Sequence, residues 1–463
     1  MSLGKVTSAT TLKADLVIFD SRLPQGAYLE LSHPIAPVLA QVVSLTRTAE
    51  RETAVVDLLG HSDGRGNPKR VEVPPDIGSE IRYAETMLIR DVLGVQSRTS
   101  EGLYVGKIYG HDIKAFLHWP SLMSHHLAVI AKTGGGKSYS VGVLIEELVK
   151  REVPVIVIDP HGEYISAAYQ NDNKRDLARM PEFGVTPRAY YRDIREYSPD
   201  VDANKTAQPL RFDERNLDAE DIAAITSIGA SESQKSLVQR AIHTCDRSRI
   251  ERTFINLIKI IERERSMSKY GVISELERLR TVPLFQDIPT KLSGIVKKGL
   301  TIINLRGADS EIQTLCASRI CKRIWQEAKV GKLPPCFVVI EEAHNFVPEQ
   351  TRTIATAPIT TIAQEGRKFG IGLCVVSQRT ARVSKNVLTQ CHSFLIHKLT
   401  NPEDLGAVSE SLEGFTFSMN EEVQRLPIGV ALISTIGWPH PVVVQIRPKE
   451  SRHGGVSKVQ SDK

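Results

Sequence analysis

Along the first hundred residues the apolar positions come in short stretches, at 14–19, 27–31, 38–45, 54–59 and 71–73. Between them lie turn-forming segments at 24–26, 33–34 and 60–68, where Pro, Gly, Asn, Asp and His gather. Short strands at this spacing predict a small β-barrel over 1–100. The texture changes near residue 102. A short apolar run at 127–130 leads through a Gly-rich turn into an amphipathic helix at 138–151, and a second apolar run follows at 153–158. Continuous apolar strands around a helix predict a βαβ unit of a parallel sheet. From about 165 to 285 the strand signal stops and helical periodicity takes over, with helices expected at 219–228, 232–247, 252–265 and 271–281. Ser231 and Ser233 are candidate N-caps. Ile255, Leu257, Ile258, Ile260 and Ile261 are packed as in a buried bundle helix. The α/β pattern then resumes. Strands are expected at 300–305, 337–340, 371–377, 393–398, 429–434 and 442–446, and helices at 309–329 and 351–369. The expected architecture is an α/β core in two parts, 101–170 and 286–448, with a helical bundle inserted at 171–285. A polar, mobile tail is expected over 449–463.

Composition narrows this picture. A chain of 463 residues, 41% of them hydrophobic, can bury a core without disulfides or a structural metal. Its longest apolar runs, such as 153–158 and 336–340, fall far short of the roughly 20 residues that cross a bilayer, so no membrane role is expected. Residues 1–12 lack a signal-peptide profile. The cysteines Cys245, Cys316, Cys321, Cys336, Cys374 and Cys391 include no C-x-x-C pair, and five lie in or beside apolar stretches. They read as buried hydrophobes of a reducing compartment, which implies a cytoplasmic protein. The formal charge of +5 permits nucleic-acid binding without arguing for it. Residues 1–100 hold 11 basic and 12 acidic side chains, so the positive excess lies beyond the barrel.

The strongest chemical signal is Ala131-Lys-Thr-Gly-Gly-Gly-Lys-Ser138, between an apolar strand and a helix. Glycines let successive backbone N–H groups converge on phosphate oxygens, and the helix N-terminus adds its dipole. Thr133, Gly134, Gly135, Gly136, Lys137, Ser138 and Tyr139 are the candidate contacts to ATP. Lys137 would reach the β and γ phosphates, and Ser138 would offer its hydroxyl to Mg2+. Ala131 stands where the motif usually begins with Gly. The apolar run from Cys336 ends in Glu341 and Glu342, which resembles a Walker B element. Glu341 would bind in the Mg2+ shell and Glu342 would polarise the attacking water. Asp159-Pro-His-Gly-Glu-Tyr164 ends the second apolar strand, at the carboxyl edge where a parallel sheet binds ligands. This puts Asp159 and Glu163 near the nucleotide, with a plain turn as the alternative. Gln378, after the strand at 371–377, would sense the γ-phosphate or orient water. Arg367 is the leading candidate for an arginine finger, ahead of Arg379 and Lys368, although basic residues also suit a helix C-terminus. Arg379, Arg382 and Lys385 are candidates for contact with DNA phosphates, or else form an ordinary basic loop.

These motifs together resemble the HerA family, a HerA/FtsK branch of the RecA-like P-loop ATPases, and specifically a bacterial member. The run from His126 to Ser138, Asp159 to Tyr164, Glu341-Glu-Ala-His344, Glu365 to Gly370 and Ser377-Gln-Arg379 look like the family's motifs in order. The first hundred residues resemble its HAS-barrel, and the helical insertion stands where the family carries a bundle. The resemblance implies a homohexameric ring that hydrolyses ATP at subunit interfaces and drives double-stranded DNA through its pore. It also implies that Lys137, Ser138, Glu342, Gln378 and Arg367 are the working groups. A NurA-like nuclease, a sirtuin-like NAD-consuming protein or another defence effector would dock on the barrel, in DNA-end processing or antiviral defence. A second reading is a ring scaffold that uses ATP to assemble and activate such an effector, with little unwinding of its own. A small-molecule kinase is a third, disfavoured by the insertion and the barrel.

Overall fold

The computed structural model describes residues 2–20, 22–95, 100–285 and 288–454, and its chain divides into two compact units. The first comprises residues up to 119 together with 393–398 and 414–447. Its N-terminal part is a closed barrel. Six strands pair antiparallel around it: Gly4–Ala9, Lys13–Ile18, Tyr28–Leu31, Val38–Arg47, Glu52–Ser62 and Glu80–Tyr83. The ring closes where Lys13–Ile18 meets Glu52–Ser62, with Ala14 opposite Val56. Alternation drives the fold: Leu16, Leu29, Leu31, Val38, Ala40, Val56 and Ile81 all point inward and are buried.

Two of these strands were invisible to the hydrophobic pattern. Gly4–Ala9 and Glu80–Tyr83 each carry few apolar residues, whereas the expected strand at 71–73 does not form. The same unit holds five further strands, paired antiparallel to one another: Gly102–Ile108, Lys114–His118, Val430–Ser434, Val442–Ile446 and Ser393–Ile396.

The second unit is a parallel α/β sheet. Its strands run in the order Gln208–Pro209, Ile194–Ser198, Gly299–Asn304, Pro154–Asp159, Cys336–Ile340, Ile371–Ser377 and Leu127–Ile130. Their central residues are buried on both faces, which explains the continuous apolar runs. The segment read as purely helical contributes Ile194–Ser198 to this sheet, pairing parallel with Gly299–Asn304. With only Ile194 and Tyr197 as large apolar residues, it gives no strand signal. The bundle helices are Glu232–Ser248, Phe254–Glu262 and Lys269–Thr281, joined through Leu237, Val238, Phe254, Leu257, Ile261, Val272 and Leu276. Ser231 caps the first through Gln234 N, whereas Ser233 lies inside the helix. The helix expected from 351 begins only at Thr356, which keeps Pro358 in the first turn, where a missing N–H costs nothing.

Residues 449–454 are not a loose tail, and 455–463 lie outside the described residues. Glu146, in the P-loop helix Lys137–Lys150, is 2% exposed and accepts hydrogen bonds from Glu450 N at 3.1 Å, Ser451 N at 2.9 Å and Ser451 Oγ at 2.7 Å. Glu450 in turn takes a 2.8 Å bond from Tyr190 OH. Burying polar groups is tolerable only when they are paired, so this segment and the helix depend on each other. Glu146→Ala strands these donors and is expected to cost about 3 kcal/mol, read as a lowered urea midpoint at constant slope. An unchanged midpoint would show that the segment does not anchor the helix.

Candidate nucleotide site

The site lies at the carboxyl ends of three adjacent strands of the second unit. Leu127–Ile130 feeds the Gly-rich loop, Ile371–Ser377 is its neighbour with Ile130 opposite Ser377, and Cys336–Ile340 stands one strand further. Gly134 has φ 72° and Gly136 φ 104°, the left-handed turns that aim the loop at the helix start. A Cβ on Gly135 would lie 2.9 Å from the Lys132 carbonyl oxygen, so the tight turn admits no larger residue. The N–H groups of the first turn after Gly136 have no intrahelical acceptor, as at every helix start.

Three side chains converge from across the sheet. Lys137 Nζ donates to Glu341 Oε1 at 3.0 Å and to Glu342 Oε1 at 2.8 Å. Ser138 Oγ donates to the same Glu341 oxygen at 2.9 Å. Burial alone would lower the Lys137 pKa, but the two carboxylates outweigh it and push it up to about 12. Burial raises Glu341, against the pull of Lys137 and Ser138. Glu342 sits at φ 49°, an unfavourable backbone for a residue with a Cβ, which costs on the order of 1–3 kcal/mol. Its Oε2 is buried without a hydrogen bond, with His344 Nδ1 3.4 Å away. Burial holds His344 below the usual histidine range. Thr133 Oγ1, in the Gly-rich loop, donates to Gln378 Oε1 at 2.6 Å.

These residues fit a magnesium nucleotide. Ser138 Oγ and Glu341 are hard oxygen donors side by side, Lys137 is a buried cation, and Glu342 Oε2 is a buried acceptor without a donor. Ser138 and Glu341 would hold the metal, which supplies positive charge to the phosphate oxygens.

Other expected residues stand elsewhere. Asp159 is fully buried, and its carboxylate accepts the backbone N–H of His161 at 3.2 Å, Gly162 at 2.9 Å and Tyr164 at 3.1 Å. It shapes its own turn, close enough to Glu341 to feel its charge. That turn delivers Tyr164, whose hydroxyl donates to Glu341 Oε2 at 3.2 Å. The Tyr139 hydroxyl is engaged away from the phosphate loop, donating to Asp176 at 2.7 Å and accepting from Lys449 N at 2.8 Å. Arg367 is exposed in the turn before Ile371–Ser377, at the opposite end of the strand from Gln378. Six residue steps at about 3.3 Å put those ends about 20 Å apart, beyond the reach of one arginine side chain. Arg379 and Arg382 are exposed, and no carboxylate pairs with either among the described residues, whereas Lys385 pairs with Glu410 at 2.8 Å. Sequence reasoning gave no role to Tyr164 or His344, although both lie inside the motif runs it singled out.

Burial, then the nearby Glu341 and Glu163 charges, raise Asp159 from 3.8 to about 7. Between these values the folded protein binds more protons than the unfolded chain, so this group's contribution to stability falls as pH rises through that window. Asp159→Asn cannot titrate. Its stability relative to the parent is expected to improve from about pH 5 to about pH 7, by up to roughly 1.4 kcal/mol per pH unit. A pH-independent difference in urea unfolding would contradict the raised value.

Comparison with known proteins agrees with this geometry. Residues 103–324 match the family model described as helicase HerA, central domain. The chain is 27% identical to the probable DNA double-strand break repair helicase HerA of Methanocaldococcus jannaschii, covering 90% of each chain. In fold it is similar to VirB4 of Thermoanaerobacter pseudethanolicus, with a TM-score of 0.52 at 13% identity over 75% of this chain and 97% of that one. The plasmid coupling protein TrwB, in complex with ADP and Mg2+, superposes with a TM-score of 0.51 at 13% identity, over 78% of this chain and 95% of the other. Residues 103–324 are thus similar to the central domain of helicase HerA, within a chain that has a P-loop ATPase fold.

Proposed function

We propose that this protein is an ATP-hydrolysing ring motor that translocates on or unwinds double-stranded DNA. The observation that carries this reading is the convergence of Lys137, Ser138, Glu341 and Glu342 beside the Thr133–Gln378 contact. The name of the M. jannaschii relative supports DNA as the substrate. Little covalent chemistry falls to the protein in phosphoryl transfer, so its residues position and neutralise. Lys137 leaves the two carboxylates for the nucleotide's phosphates, where its charge offsets theirs. Glu342, then freed on one oxygen and already free on the other, accepts a proton from the attacking water. Thr133 releases Gln378 toward the γ-phosphate position.

Arg367 cannot complete this site within its own subunit, because it lies at the wrong end of its strand. A ring in which each Arg367 enters the neighbour's site supplies the missing cation, and a homohexamer satisfies this. Arg379 and Arg382 would meet DNA phosphates, giving salt-sensitive binding with little sequence preference. A nuclease or another effector docking on the barrel would use the motor, in DNA-end processing or antiviral defence. The compartment consistent with this role is the cytoplasm.

Lys137→Ala is expected to abolish ATP turnover without loss of the thermal transition, and retained turnover would sink the site assignment. Arg367→Ala and Glu342→Gln should each be nearly inactive alone, yet mixed subunits should regain activity where an intact site meets an intact arginine. Failure of mixtures to recover would place Arg367 outside the neighbouring site. A turnover rate that duplex DNA leaves unchanged but a barrel-docked partner raises would favour an ATP-controlled scaffold.

A further inference from the structure

His126 is a buried titratable residue that takes no part in the nucleotide site, being 2% exposed. It precedes the P-loop strand Leu127–Ile130, and its backbone lies at φ 55°, unfavourable for a residue with a Cβ. Such strain persists only where the surroundings over-determine it. Two hydrogen bonds do so. Leu373 N donates to Nδ1 at 3.1 Å, and Nε2 lies 3.0 Å from the Ala363 carbonyl oxygen. An amide donor fixes Nδ1 as the acceptor, so Nε2 carries the proton and donates to Ala363. Burial keeps the ring neutral, bringing its pKa down to about 4.

Ala363 is in the last turn of helix Thr356–Glu365, and the next turn, Gly366–Phe369, carries Arg367. That turn is held from other sides as well. A Cβ on Gly366 would lie 2.9 Å from the Ile371 carbonyl oxygen, and Phe369 packs edge-on against Trp325 with ring centroids 4.9 Å apart. Arg367 is exposed in the middle of this fixed turn. His126 links the turn directly to the strand that feeds the protein's own phosphate loop.

We propose that His126 is a positioning residue: its hydrogen bond to the Ala363 carbonyl fixes the turn that presents Arg367 to the neighbouring subunit. This rests on the reading of Arg367 as a group supplied across a subunit interface. The residues that bind nucleotide in the same subunit are untouched by it.

Asparagine and glutamine separate the two bonds. Asparagine tolerates the left-handed backbone and can take the Leu373 N–H, but is too short to reach Ala363. A glutamine amide reaches the place of Nε2. His126→Asn is expected to keep its thermal transition and its KM for ATP while kcat falls about 10-fold or more, since small misplacements of a catalytic group are costly. His126→Gln should recover most of kcat. Mixed with Glu342→Gln subunits, His126→Asn should regain activity as Arg367→Ala does, because its own site is intact. The double variant H126N/R367A should be no slower than R367A, as for two changes acting through one group.

Parental kcat in His126→Asn, beside an Arg367→Ala that has lost it, would overturn the role of His126 alone. So would a His126→Asn defect that mixing does not relieve, which would place the fault in its own phosphate loop. If His126→Asn does not fold, His126→Gln decides the matter, and a Gln variant that folds but stays slow in mixed rings overturns it. Full turnover in Arg367→Ala would remove the finger reading, and this role with it.

Discussion

One buried cation organises the nucleotide end of the sheet. Lys137 lies between two carboxylates on the next-but-one strand, and each of the three would be expensive to bury alone. Pairing at 2.8–3.0 Å outweighs burial at Lys137, whose pKa is raised, whereas at Glu341 burial keeps the upper hand. The constraint reaches outward from there. Glu342 can meet Lys137 only from a left-handed backbone, and Glu341 meets it only where Ser138 and Tyr164 also converge. Tyr164 is placed by the turn that Asp159 closes with three backbone N–H groups. A protein that binds polyphosphate here must turn one ammonium from two carboxylates to phosphate oxygens, and the negative charge this adds calls for the magnesium that Ser138 and Glu341 would hold. On the proposed reading the same exchange releases Glu342 for its role as a base.

What was legible in the sequence follows from where side chains are buried. Strands covered on both faces, such as Pro154–Asp159 and Cys336–Ile340, announce themselves as apolar runs. Glycines that the phosphate loop cannot replace announce the loop. Strands without an apolar majority do not: Gly4–Ala9, Glu80–Tyr83 and Ile194–Ser198 form where neighbouring strands offer backbone hydrogen bonds. Lys449, Glu450 and Ser451 read as tail because they are polar. Glu450 and Ser451 are buried where Glu146, from a helix three hundred residues earlier, accepts their N–H groups, and Lys449 N donates to Tyr139 OH on the same helix. Pairings at that separation have no local signature.

The candidate site divides in the same way. Lys137, Ser138, Glu341 and Glu342 were readable because each ends or follows an element with its own strong pattern. Asp159 was expected near the nucleotide on position alone, and its hydrogen bonds close the turn that delivers Tyr164. Tyr139 carried no independent signal, and its hydroxyl is occupied by Asp176 and the backbone of Lys449. Tyr164 and His344 belong to the site through contacts that only the folded sheet creates.

The strand Ile371–Ser377 gives the proposed ring its mechanical logic. It is fully buried along its length and paired on both sides within the second unit, by Leu127–Ile130 and Cys336–Ile340. A strand so held moves as a rod. One end carries Gln378, hydrogen-bonded to Thr133 of the phosphate loop, and the other is preceded by the turn bearing Arg367. His126 ties that turn to the neighbouring rod, the strand that ends in the phosphate loop itself. On the proposed reading, displacement at the phosphate end of one subunit is transmitted about 20 Å to the arginine that serves the next. Sequential hydrolysis around a ring requires such a connection, and a stiff pair of buried strands provides it without a hinge. On the same proposed reading the modest net charge of +5 per chain is no obstacle to gripping DNA, since a few exposed arginines repeated around a single pore would act together.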